Sequence, residues 1–89
     1  MNFEEVLPLL KTGNKFRREA WENLSFVVLQ KGYPEGIPSN QQTAEAFGIE
    51  EGDLFIVKPY LQARTIDAEH IMWTPTVEDV LANDWTIIF

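Results

Sequence analysis

Three tryptophans, Trp21, Trp73 and Trp85, fall in two clusters of this 89-residue chain. The first is Arg18-Glu19-Ala20-Trp21; the second is Met72-Trp73-Thr74-Pro75, running on to Ala82-Asn83-Asp84-Trp85. An indole joins a broad flat apolar surface to an N–H donor on its edge, so it suits a hydrophobic core or a face on which a nucleobase stacks. Four of the seven Lys and Arg residues, Lys11, Lys15, Arg17 and Arg18, crowd into one short segment, and none follows Arg64. Such a cluster fits either a local anion site or a solvated turn. Stacking beside a guanidinium is recognition chemistry, which breaks no covalent bond.

Groups able to catalyse are sparse. His70 is the single histidine, and neither Ser25 nor Ser39 stands at a spacing from it that signals a nucleophile and its base. Asp67, Glu69 and His70 sit close in sequence, but neighbouring strand residues point to opposite faces and the spacing is not that of a metal site. With no cysteine there is no disulfide, thiolate metal ligand or thiol nucleophile. No glycine-rich phosphate loop leads into a helix. The expectation is a protein that is not an enzyme, with no catalytic residues, metal or cofactor.

The elements that must position these side chains belong to one domain, residues 1–89, because a chain of this length has room for a single core. Apolar residues make up 45% and charged residues 24%, and no run approaches the ~18 apolar residues that span a bilayer. The acidic start Met1-Asn2-Phe3-Glu4-Glu5 does not read as an export signal, so a cytoplasmic location is expected. A net charge of −7 repels polynucleotides, which makes long nucleic acid an unexpected partner.

Asn2 with Glu5 forms a capping-box pattern ahead of Phe3, Val6, Leu7 and Leu10, which predicts an N-terminal helix closed by Gly13 and bent at Pro8. Alternation over Lys15–Trp21 and β-branched and aromatic residues over Leu24–Gln30 predict a hairpin turning at Glu22-Asn23, with Trp21 near its tip. Residues 32–51 read as a loop carrying a turn or two of helix, with 33–42 a candidate lid. Leu54–Val57 begins a third strand that continues past Pro59 through Tyr60–Thr65, and His70–Trp73 returns as the next. Thr76 with Asp79 predicts a capped helix ending near Asn83, and Trp85–Phe89 closes as a strand. The order αββ-loop-ββαβ implies an α+β fold, an antiparallel sheet with an N-terminal helix and a short C-terminal helix on one face. Trp85 and Leu81 are expected in the core and Asp79 as a cap.

Phe3 to Lys11, the Arg-x-x-Trp of Arg18 and Trp21, and Trp73-Thr74-Pro75-Thr76 followed by Asp79-Val80-Leu81-Ala82 and Asp84-Trp85 resemble a small family of bacterial and phage proteins. Its members include the second type of Thoeris anti-defence protein. The closing stretch is the specific part of the likeness, and residues 32–52 lie outside it. The resemblance implies a phage protein acting in the cytoplasm of an infected bacterium. Such proteins are sponges that bind a cyclic ADP-ribose immune signal, glycocyclic ADP-ribose, without degrading it, and they assemble as homotetramers.

Stacking one base contributes ~1–3 kcal/mol and one charged hydrogen bond ~1.5–3 kcal/mol, whereas nanomolar capture requires about −12 kcal/mol. Several such contacts must therefore converge, and a cavity shared between subunits supplies the walls that a small monomer lacks. On this reading Trp21 and Trp73 are stacking walls, Arg18 or Arg17 meets the pyrophosphate, Thr74 is a polar anchor and Asp84 accepts from ribose hydroxyls. Arg18 could equally pair with Asp84, and Trp73 could be buried packing. Two other classes compete: an acidic, DNA-mimicking inhibitor of a host defence enzyme, which the net charge favours, and a hydrolase of the same signal, which lacks a nucleophile.

Overall fold

A computed structural model describes residues 1–89. Helix α1 (Phe3–Lys11) opens on the expected capping box, with the Asn2 side chain accepting from the Glu5 N–H and the Glu5 carboxylate accepting from the Asn2 N–H. Strands β1 (Lys15–Arg18) and β2 (Leu24–Gln30) follow, then β3 (Tyr33–Pro38), α2 (Gln41–Phe47) and β4 (Leu54–Val57). The chain closes with β5 (Tyr60–Thr65), β6 (His70–Met72), α3 (Val77–Leu81) and β7 (Trp85–Ile88). Five strands form an antiparallel sheet in the order β6-β5-β2-β1-β7, while β3 and β4 pair in a separate two-stranded sheet. The fold is α+β, as the element pattern implied.

Period-two alternation aims Phe16, Val27, Ala63 and Trp85 at one face of the large sheet, where Val6 and Leu10 of α1 meet them. Val6, Leu10, Phe16, Val27 and Trp85 retain at most 1% of their surface, each contributing ~1.5–3 kcal/mol of burial. Helix α3 packs beside α1. The radius of gyration, 15.5 Å, exceeds the roughly 12 Å of a compact chain this long, and the extents are 45 × 26 × 25 Å. Residues 33–57 form a distinct arm of β3, α2 and β4 whose buried residues are Ser39 and Ala44.

Several expectations need correcting. The stretch read as a loop holds strand β3, hydrogen-bonded to β4, ahead of α2. Pro34, Gly36 and Pro38 mask the strand signal, yet the edge of a two-stranded sheet tolerates them. The segments on either side of Pro59 are not one interrupted strand, because the break sends β4 and β5 into different sheets. Strand β1 ends at Arg18 rather than Trp21, and residues 19–23 replace the two-residue turn. Backbone bonds from Glu19 N–H to the Asp84 carbonyl and from Trp21 N–H to the Arg18 carbonyl pull the chain out of the hairpin there. Trp73 follows β6 instead of belonging to it, and α3 stops at Leu81. Leu81 is 73% exposed and not core: it lies two residues from inward-facing Asp79, about 200° around the helix.

Candidate functional site

Tertiary folding joins the two tryptophan clusters. Trp21 sits in the β1–β2 connection, where its carbonyl accepts from Arg17 Nη2 at 3.0 Å. Trp73 is anchored by its N–H on the Leu61 carbonyl at 3.1 Å. Trp85 begins β7, its Nε1 donating to the Asp79 carbonyl at 2.9 Å. The Trp21 and Trp73 centroids are 5.8 Å apart at 69°, and each packs edge-on against Trp85 at 5.2 and 6.1 Å. Trp85 is sealed in the core, whereas Trp21 and Trp73 are half-buried and keep surface on the outside. At 69° the two indoles do not form parallel walls around one base; each presents its own face.

Beneath them Arg18 bridges two carboxylates, Nε to Asp84 Oδ1 at 2.9 Å and Nη1 to Asp79 Oδ1 at 3.0 Å. Asp84 also accepts the Ala20 N–H, and Asp79 completes a capping box with Thr76. Burial alone would raise the Asp79 carboxyl, but bonds from the Thr76 N–H, the Arg18 guanidinium and the Thr76 hydroxyl outweigh it and hold the group below the usual range. Asp84 is held low chiefly by its bond from Arg18. Asp79 is thus both the expected cap and an ion-pair partner, tying α3 to β1.

Above this lies an open cleft of about 580 Å³, within the range of small-ligand sites. Trp21, Trp73, Thr74 and Arg18 line it, so four of the six sequence-derived residues meet in one place. Arg17 and Asp84 are not on its wall; Arg17 is turned back on the Arg18 and Trp21 carbonyls and Asp84 on Arg18. Sequence reasoning missed Leu24, Met72, Thr76 and Glu78. For Thr76 and Glu78 the signal was their place directly after Trp73-Thr74, at the start of a capped helix. The wall can stack a planar ring and exchange hydrogen bonds through two threonines. Its one cation is already engaged by two carboxylates.

Ser25 Oγ donates to the Thr65 carbonyl and Ser39 Oγ to the Glu50 carbonyl, while His70 is exposed on β6. No three His, Asp or Glu side chains come together to hold a metal ion. No helix is long and apolar enough to cross a membrane.

The chain is thus a small α+β domain with an indole-lined, ligand-sized cleft beside an Arg–Asp–Asp cluster. Residues 1–88 match the Thoeris anti-defense 2-like (Tad2-like) domain. The chain belongs to that family. It is also 30% identical to Thoeris anti-defense 2 of Bacillus phage SP01 over 92 residues, covering 99% of this chain and 94% of that protein.

Proposed function

We propose that the protein inhibits Thoeris defence as a non-catalytic sponge that binds glycocyclic ADP-ribose in the cytoplasm of an infected bacterium. Family membership supports the anti-defence role, and the observation that carries the mechanism is the cleft where Trp21 and Trp73 each expose an indole beside Thr74. One indole stacks the purine, Thr74 anchors a polar group and Arg18, the one cation on the wall, meets the pyrophosphate, while Arg17 and Asp84, which lie off the wall, hold Trp21 and Arg18 in place. Because Arg18 is already shared between Asp79 and Asp84, the phosphates need further cations, and the cleft is too open to enclose a ligand alone. A homotetramer with sites between subunits meets both needs. Carboxylates are absent from all five strands of the large sheet, a segregation that weighs against a uniformly acidic, DNA-like surface.

The test is capture and release. Purified protein mixed with the messenger, filtered, then heated should deplete the free signal and return it chemically intact. Altered product would mean an enzyme, and no depletion would end the sponge reading.

A further inference from the structure

Every second residue from Thr74 to Glu78 lines the indole cleft, while Pro75 and Val77 between them do not. The backbone is extended at Thr76 (φ −79°, ψ 170°) and enters α3 at the next residue, so the first helical turn brings Glu78 to the wall that Thr74 and Thr76 already share. The capping box of Thr76 and Asp79 pins that turn, and Arg18 ties Asp79 back to β1. Glu78 is therefore carried on backbone held on both sides of it.

The two carboxylates on the wall differ in what they have left to offer. Asp79 is 5% exposed, with Oδ1 on the Arg18 guanidinium and Oδ2 on the Thr76 N–H. Glu78 is exposed and its side chain makes no hydrogen bond or ion pair within the chain; the Thr74 side chain makes none either. Asp84, which the sequence put forward for ribose hydroxyls, is turned onto Arg18 and the Ala20 N–H. An acidic residue in the first turn also suits the helix dipole, a role that requires no ligand.

A free carboxylate has acceptor oxygens only, so it takes hydroxyl donors, and a phosphate placed against it meets like charge. Its two oxygens match two neighbouring hydroxyls, the chemistry by which an acidic side chain marks ribose in dinucleotide sites. An ADP-ribose closed by a glycosidic bond between its two riboses uses the anomeric carbon of one and a hydroxyl of the other. The first ribose keeps both adjacent hydroxyls; the second loses one of them. We propose that Glu78 is a specificity-determining residue of the cleft, accepting from both hydroxyls of the ribose that keeps its vicinal diol. That ribose lies toward α3, and charge directs the pyrophosphate away from Glu78. The assignment rests on the messenger reading above and supplies its sugar contact.

Calorimetry with two forms of glycocyclic ADP-ribose tests it: the intact messenger, and messenger treated with periodate, then borohydride, and repurified, which opens only the ribose bearing the diol. Wild type should bind the opened form about tenfold or more weakly than the intact one. Glu78→Ala should weaken the intact messenger by about the same factor and lose most of the discrimination, with Glu78→Gln, which keeps one acceptor oxygen, in between. Comparing the variants cancels the flexibility that ring opening adds to the ligand. The melting temperature should be nearly unchanged, as for other exposed side chains. Affinities for both forms that fall equally in Glu78→Ala, as a purely helical role would make them, overturn the assignment and leave the sponge standing, as does a wild type that binds the two forms alike. Wild type that takes up no intact messenger sinks the sponge, and this assignment with it.

Discussion

Trp21 packs edge-on against Trp85 and also lines the cleft, so its removal acts on fold and ligand together. Trp21→Ala should lower messenger affinity about tenfold or more, in keeping with ~1–3 kcal/mol for a stacked base. It should also cost about 1–2 kcal/mol of stability through lost ring contacts. Calorimetry and chemical denaturation read the two effects separately, and unchanged affinity would remove Trp21 from the site. Arg18 is the other residue with a distinct signature. Asp79 and Asp84 have folded-state values below their ordinary ones, so their contribution is complete above the unfolded value of ~3.9 and is lost as pH falls through the lower folded values. Arg18→Ala should cost about 2 kcal/mol at neutral pH, between the ~1 kcal/mol of an exposed pair and the ~3–5 kcal/mol of breaking a buried one. The gap in melting temperature between wild type and variant should stay constant from about pH 8 to 5 and shrink below about 4.

At the scale of elements, the helices were legible because their signals are local. Asn2 with Glu5 forms the capping box that the spacing announced, and Thr76, read as an N-cap, forms a second box with Asp79. Strand β3 was not, since Pro34, Gly36 and Pro38 lower strand propensity and only pairing with β4 overrides them. Where β2 hands over to the arm, Gly32 adopts φ 71°, and a Cβ there would meet the Val57 carbonyl oxygen at 2.2 Å. The left-handed backbone alone penalises a side chain by about 1 kcal/mol or more. Gly32→Ala should therefore lose at least that much in urea denaturation, with amide shifts concentrated at the junction with residues 57 and 58; a neutral outcome would show that the arm is free to move away.

Over the whole molecule, stability is uneven. The fully buried side chains sit under the large sheet, whereas the arm buries only Ser39 and Ala44. Hydrogen exchange should find arm amides opening well before those of β1, β2 and β5 in dilute protein. Uniform protection would mean that the arm is held as firmly as the large sheet. Sequence alone determined the α+β class, the capped helices α1 and α3 and most strands, because cap spacing and side-chain alternation act over a few residues. It also singled out Trp21, Trp73, Arg18 and Thr74. Only tertiary structure decided that these four share one cleft, that Arg18 joins Asp79 to Asp84 and that Leu81 faces outward. Likewise, only the strand order gathered Lys15, Arg17 and Arg64 on one face of a sheet whose strands hold no carboxylate. The physical reason is that such juxtapositions join residues more than sixty positions apart, as Arg18 joins Asp79 and Asp84, and no local pattern encodes which distant partner a strand selects.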